Sequence, residues 1–285
     1  MDFHGFNLSP NAKRCGKGYS DRCPAHEDQH NSLSIGVGRD GRLLLKCHAG
    51  CTFEEILDAA GVRGAQVSMM GANPSKIRSQ EIREQAATDR RIAFARELWD
   101  EALPIEGTIG ERYLNSRGIE SGFGALRLHP AHKLSEDGLL YPCILGKVER
   151  VDAFVGLHRT FLTPEGKKRY RSMLGQVMGG AVRLSSGHRG LAVAEGIETA
   201  LSAQALYHPE GYSIWAALSA GGMRHLQLPV WRTSLVVYAD GDEVGREAAY
   251  DLGEKAAQLG WPARTVFSPK QMDVNDALMV KRGLK

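Results

Sequence analysis

In the last third of the chain, apolar residues gather in short unbroken runs separated by stretches with helical spacing. Ser234 to Ala239 is a β-branched and apolar run too short for a helix and bounded by turn residues, so it reads as a buried strand. Leu191 to Ala194, Ser213 to Leu218 and Ala263 to Phe267 have the same character. Between them, Ile197 to Tyr207 and the segment from Glu243 onward repeat their apolar positions every three to four residues, as helices do. Strands alternating with helices predict an open α/β sheet with parallel strands. From Leu139 to Leu162 the pattern changes to alternation in LLYPCILGKV and AFVGLHRTFL. That period puts His158 and Thr160 on one face and Arg159 on the other, with Cys143 in the core.

The front of the chain is organised differently. Leu33 to Gly38 and Arg42 to Cys47 are two short strands joined around Asp40-Gly41, a hairpin signal. Thr52 and Glu55 form a capping box that opens a short helix to Ala60, and Thr108 with Glu111 does the same for the helix containing GERYLNSRGI. A long helix is expected from about Gln80 to Ala102, with Arg83, Arg90, Arg91 and Arg96 on its solvated face. Residues 63–79 contain Gly64, Gly71, Asn73 and Pro74 with little periodicity and read as a linker. The expected domains are therefore residues 1–62, a linker over 63–79, a mixed α+β middle over 80–190 and an α/β domain over 191–285.

With 285 residues the chain can bury full cores. It shows no apolar run of membrane-spanning length and no signal-peptide pattern at MDFHGFNLSP, which implies a soluble cytoplasmic protein without a membrane partner. The net charge of +3 decides little, but its distribution matters. Residues 144–190 carry nine Lys or Arg against three acids, while residues 191–285 carry nine against eleven. A basic middle beside an acidic end suits a polyanion held by one part and processed by another.

Three of the five cysteines fall in one region, as Cys23-Pro-Ala-His26 and Cys47-His-Ala-Gly-Cys51. Two ligand pairs on adjacent knuckles of a ribbon, three sulfurs and one imidazole, make a closed tetrahedral zinc shell of the structural kind. Cys15, His30 and His48 lie nearby, and Cys15 is an alternative to His26.

The strand ending at Ala194 runs into Glu195-Gly196, and the strand ending at Ala239 runs into Asp240-Gly241-Asp242. Carboxylates at the carboxyl ends of parallel strands converge on one crevice, and hard oxygen donors held together suit magnesium. This order resembles the TOPRIM domain, named for topoisomerases and primases, and Gly245, Arg246, Ala248 and Ala249 match its primase form. The resemblance implies that Glu195, Asp240 and Asp242 hold magnesium or manganese and that Asp273, in Asp273-Val-Asn275-Asp276, adds to the site. Thr199 stands where many relatives place an aspartate, leaving Glu198 as a possible substitute. Asn275 and Asp276 suit the capping of the last helix.

Between strands and acids lies PEGKKRYRSML, with Lys167, Lys168, Arg169 and Arg171 around Tyr170. Guanidinium forks and an aromatic ring can hold phosphates and stack on a base. The zinc pattern CPAH…CHAGC, the GERYLNSRGI phrase, Arg159 and the lysine–tyrosine segment, followed by the TOPRIM marks, together resemble bacterial, phage and plasmid primases. That resemblance implies synthesis of short oligoribonucleotides on single-stranded DNA from nucleoside triphosphates, with Arg159, Lys168, Arg169 and Arg171 lining the nucleic-acid groove. It further implies a mobile-element setting and a separate helicase or polymerase as partner. A TOPRIM nuclease and a non-catalytic single-strand-binding or loading module are the alternatives, distinguished by the products formed on an unprimed strand.

Overall fold

Two units make up the chain, Met1–Ala86 and Ala87–Lys285. The computed structural model describes residues 2–3, 6–28, 30–38, 43–62, 74–207, 211–230, 233–268 and 272–285.

In the first unit, β1 (Asp2–Phe3) pairs with β2 (Phe6–Asn7), and a four-stranded antiparallel sheet runs in the order β3 (Lys13–Cys15), β4 (Gly18–Asp21), β5 (Leu33–Val37), β6 (Leu43–Cys47). The expected hairpin is β5–β6, in register from Leu33 opposite Cys47 to Val37 opposite Leu43. Its Asp40-Gly41 turn lies outside the described residues. Strands β3 and β4 carry no strand signal in the sequence: β3 is exposed throughout, and the GYSD of β4 has no apolar alternation. Helix α1 (Phe53–Ala59) starts with both bonds of the capping box, Thr52 Oγ1 accepting from Glu55 N–H and the Glu55 carboxylate from Thr52 N–H. Its Ile56 and Leu57 join Phe6, Leu33, Ile35 and Leu43 in a small core. Helix α2 (Pro74–Glu101) is longer than expected, taking residues 74–79 from the stretch read as a linker. Proline is tolerated in a helical first turn, where its missing N–H removes no helix bond, so Pro74 opens the helix and does not exclude it. Residues 63–73 of that stretch lie outside the described residues.

The second unit is built on one ten-stranded sheet. After β7 (Leu103–Pro104) and α3 (Ile109–Ser116) come β8 (Leu126–Lys133), β9 (Leu140–Arg150), β10 (Ala153–Leu162) and β11 (Lys168–Gly175), all antiparallel to their neighbours. The chain continues through β12 (Ala181–Ser185), β13 (Gly190–Ala194), α4 (Ile197–Tyr207), β14 (Tyr212–Ala216), α5 (Ala220–His225), β15 (Ser234–Ala239), α6 (Glu243–Gln258), β16 (Ala263–Phe267) and α7 (Val274–Lys281). The strand order is β11-β10-β9-β12-β14-β13-β15-β16, with β8 beside the first part of β9 and β7 beside β8. Strands β14, β13, β15 and β16 are parallel, as their apolar runs predict. β12 is antiparallel to both β9 and β14, so it joins the basic antiparallel half to the acidic parallel half in one sheet.

Every residue of β13 is buried, and β15 is buried from Leu235 to Ala239. Each Val or Leu placed there contributes roughly 2 kcal/mol through burial. One sheet face packs against residues of α3, α4 and α7, including Tyr113, Leu114, Ala200, Leu201, Val274 and Leu278. On the other face, α2 covers the antiparallel half through Ala95 and Leu98. There α5 and α6 cover the parallel half through Met223, Ala248, Ala249 and Leu252. Cys143 is fully buried beside α2, the core role expected of it.

Candidate metal centre and acidic sheet edge

The first unit brings Cys23 Sγ, His26 Nδ1 or Nε2, Cys47 Sγ and Cys51 Sγ within 4.8 Å of one another. His26 Nδ1 lies 3.3 Å from Cys51 Sγ and 3.9 Å from Cys47 Sγ, which identifies the nitrogen turned toward the sulfurs. The knuckle before His26 is shaped by Asp28, whose carboxylate accepts from the N–H groups of Cys23, His30 and Ser32 and from Ser32 Oγ. These bonds hold the Asp28 carboxyl well below its usual range. At the second knuckle Ala49 N–H donates to Cys47 Sγ at 3.3 Å. Burial acts against the Cys47 thiolate, but the amides of Cys51 and Ala49 prevail and lower the thiol to about 6. Burial pushes the Cys23 thiol up to about 12. Three sulfurs and an imidazole in mutual contact fit a structural zinc ion. The competing residues are placed elsewhere: Cys15 is exposed on β3, and His48 Nε2 is hydrogen-bonded to Ser34 Oγ at 3.0 Å.

In the second unit, parallel register sets Ala194 opposite Tyr238, so Glu195 and Asp240 leave adjacent strands at the same edge. The third approach comes through the backbone, where Gly241 N–H donates to Met272 O at 2.9 Å and lays the segment before α7 along the acidic tip. Asp242 and Asp273 are both helix N-caps. Asp242 Oδ1 accepts from Gly245 N–H at 2.7 Å and Asp273 Oδ1 from Asp276 N–H at 2.6 Å, leaving each a second oxygen. Asp273 therefore holds the capping position suggested for Asn275 or Asp276. Asn275 is instead fully buried, donating to Arg117 O at 2.8 Å and Ser202 Oγ at 2.9 Å, while Asp276 pairs with Lys285.

Glu195 accepts from the backbone of Ala220, the first residue of α5, and Asp240 from that of Val274, the first of α7. Burial, and then the negative charges of Asp273, Glu195 and Asp242, raise the Asp240 carboxyl to about 7. Burial and Asp242 also raise Glu195, against the charge of Arg171 on β11. Asp240 Oδ1 is buried without a hydrogen-bond partner. A buried carboxylate oxygen with no donor, among three further acids, fits a hard divalent cation such as magnesium. The acids are more open than the sulfur site: among the described residues, the Cys/His set alone has three or more candidate ligands all within 4.8 Å.

Two glycines are closely packed here. A Cβ on Gly245 would stand 3.0 Å from Asp242 Oδ1 and 3.3 Å from Asp240 Cβ, crowding the acidic tip. One on Gly222 would stand 2.0 Å from Ala217 O. The Ser219-Ala220-Gly221-Gly222 turn is the start of α5, with Ser219 as its N-cap. Ser219 Oγ takes Gly222 N–H at 2.9 Å, and the Ala220 amide is engaged by Glu195. The turn positions an acid.

The basic residues are divided by strand register. Thr160 lies opposite Arg171 and Leu162 opposite Lys168, on the face of β10 that carries buried His158. Phe161 lies opposite Tyr170 and Arg159 opposite Ser172, on the face covered by α2. Arg159 is half-buried there, contacting His132 Nε2 at 3.1 Å and donating to Met173 O at 3.2 Å, and Arg169 pairs with Asp137 at 3.7 Å. Lys168 and Arg171 thus share a face with the acids, whereas Arg159 lies behind the sheet.

Two participants belong to motifs named from sequence but had no role assigned to them there. Tyr113, in the GERYLNSRGI phrase, donates from its hydroxyl to Glu198 Oε1 at 2.8 Å. Arg246 braces the acidic tip, donating to Gly241 O at 3.5 Å and Ser268 O at 3.3 Å with its guanidinium over Phe267. The phrase was the available signal for Tyr113, but its partner is 85 residues away.

Comparison with known proteins follows the same division. Residues 190–283 match the Toprim domain model, and residues 89–184 match a domain of unknown function, DUF7146. Among proteins of curated function there is no match. Solved structures similar to the chain include a DNA primase domain from Pseudomonas aeruginosa, at 16% identity and TM-score 0.40, covering 69% of this chain and 74% of that one. The zinc-binding and RNA polymerase domains of Aquifex aeolicus primase are 15% identical at TM-score 0.41, covering 96% and 78%. The RNA polymerase domain of Mycobacterium tuberculosis primase DnaG is 15% identical at TM-score 0.41, covering 71% and 80%. The carboxyl-terminal sheet with its acidic edge is a Toprim domain, and the amino-terminal unit carries the zinc-type cluster that the sequence resemblance implied.

Proposed function

We propose that this Toprim-bearing chain is a DNA primase, making short oligoribonucleotides on single-stranded DNA by metal-dependent nucleotidyl transfer. The observation that carries the reading is the buried, unpartnered Asp240 Oδ1 at an edge shared with Glu195, Asp242 and Asp273, faced by Arg171 from the basic strand. Glu195, Asp240, Asp242 and Asp273 would hold magnesium or manganese, which when bound lowers the pKa of an attacking hydroxyl and neutralises a triphosphate. The protein's own part is placement. Ala220 and Val274 amides aim two of the acids, and the N-caps at Asp242 and Asp273 fix the other two. Lys168 and Arg171 supply positive charge beside them for the template strand or the triphosphate. Arg159 belongs to this reading as a support of the basic strand, held on the far face by His132 and Met173 O, and Arg169, paired with Asp137, as a support of the same strand. The zinc unit would contact template, and a separate helicase or polymerase would be the replication partner. Among the described residues no helix is long and apolar enough to cross a membrane.

The test is incubation with unprimed single-stranded DNA, ribonucleotides and magnesium. New short oligonucleotides that vanish in Asp240→Ala and Asp242→Ala support the proposal. A shortened template would make the protein a nuclease, and binding without either product would make it a loading module.

A further inference from the structure

Glu198 stands in the first turn of α4, three residues after Glu195. Its Oε1 accepts from the Tyr113 hydroxyl at 2.8 Å and from Lys168 Nζ at 3.1 Å. The Glu198 side chain is 17% exposed and that of Lys168 44%, so the carboxylate is largely inside while the ammonium reaches the surface. One oxygen therefore joins α4, α3 and β11. A fourth element, β10, brings in His158, which is buried, acts electrostatically on Glu198 and leaves its Nδ1 without a partner.

The same strand meets the Glu195–Glu198 turn twice. Arg171 acts on Glu195 and Lys168 pairs with Glu198, both from the face of β11 that carries them together. The two contacts differ in kind. Glu195 belongs to the acidic edge and would be engaged by a cation, leaving Arg171 free to turn to another anion. Glu198 has both its donors on one oxygen and is enclosed by them, so its hold on Lys168 persists through such a change. A tyrosine hydroxyl bonded to the same oxygen restricts the carboxylate's rotamer, and a charge-assisted bond to a half-exposed lysine then restricts the lysine.

We propose that Glu198 is a positioning residue that, anchored by Tyr113, holds Lys168 and the start of β11 so that the ammonium is presented to the triphosphate of an incoming nucleotide. This inference rests on the primase reading. It assigns Glu198 a role different from a metal ligand in place of Thr199, because the carboxylate is directed to Tyr113 and Lys168. Misplacing one charge-assisted contact corresponds to about a tenfold loss in affinity.

The experiment compares the full chain with Glu198→Gln, Lys168→Met and the double variant. Three quantities are measured: primer synthesis against nucleotide concentration, equilibrium binding of a fluorescent ATP analogue in calcium with template present, and thermal melting. Expected results are KM and nucleotide Kd raised about tenfold in each single variant, kcat within about threefold, and a double variant no worse than either single one. Should Glu198→Gln melt too low to assay, Lys168→Met, altered at a half-exposed position, carries the same KM and Kd prediction. A lowered melting temperature with unchanged KM and Kd, tighter nucleotide binding in Glu198→Gln, or additive losses in the double variant would overturn the proposal. If the unaltered protein binds the nucleotide analogue but makes no primer, the primase reading fails while the binding comparison still decides the role of Glu198. If it binds none, both fall.

Discussion

Replacing Asp240 by asparagine should make the metal-free protein more stable at alkaline pH. In the unfolded chain this carboxyl ionises near 3.8, whereas in the fold burial and then Asp273, Glu195 and Asp242 raise it to about 7. The folded state thus binds more protons between those values, so stability is present at low pH and is lost as pH rises from about 4 through 7. A rise of about 3 pK units is worth ~4 kcal/mol, and the partial solvent access of the half-buried carboxyl reduces this to about 2 kcal/mol. Asparagine keeps the shape, accepts from Val274 N–H and turns an amide donor toward the remaining acids. At pH 8 in chelator, Asp240→Asn should therefore melt about 4–8 °C above the unaltered protein. The gap should shrink toward pH 5, where the unaltered acid regains its proton. Adding magnesium should stabilise the unaltered protein, by about 2.7 kcal/mol at one hundred times its Kd, and leave the variant nearly unmoved. Melting curves across pH 5 to 8.5, with and without magnesium, measure all three effects. The reasoning is refuted if the variant is less stable than the parent at pH 8 in chelator, or if the gap does not change with pH.

Other outcomes can be checked alongside. Elemental analysis should find one zinc per chain, and Cys51→Ser should abolish it and render residues 1–62 sensitive to protease, since so small a core depends on its metal. Asn275→Ala should cost about 2 kcal/mol by stranding Arg117 O and Ser202 Oγ, read as a lower denaturant midpoint. His158 runs opposite to Asp240 with pH. Burial depresses it from 6.5 to about 4, so the unfolded chain takes up its proton first and stability falls as pH drops from about 6.5 to 4. His158→Gln should flatten that limb of the stability curve, by up to about 3 kcal/mol.

Much of this protein is local and therefore visible in its sequence. The runs at Leu191–Ala194 and Ser234–Ala239 read as strands because they are too short for a helix, bounded by turn residues and apolar throughout, as strands buried on both faces are. The Thr52–Glu55 box and each half of the CPAH…CHAGC pattern rest on neighbours a few residues apart, the β5–β6 register on two strands close in sequence, and Cys23, His26, Cys47 and Cys51 gather in one sulfur–imidazole cluster. The acids were legible as the ends of strands, since a parallel sheet has a single carboxyl edge.

What needed tertiary structure was pairing across distance. The sequence marks Lys168, Arg169, Arg171 and Arg159 alike as basic, but a bulge between Phe161 and Leu162 and the register of β10 with β11 place Lys168 and Arg171 beside the acids and Arg159 behind the sheet. Glu198 was readable only as a substitute ligand until Tyr113 and Lys168 were found on its oxygen. Side-chain periodicity states which residues share a face of one strand. It carries no information on which distant helix or strand will cover that face, and at this site the cover sets the charge, the burial and the chemistry.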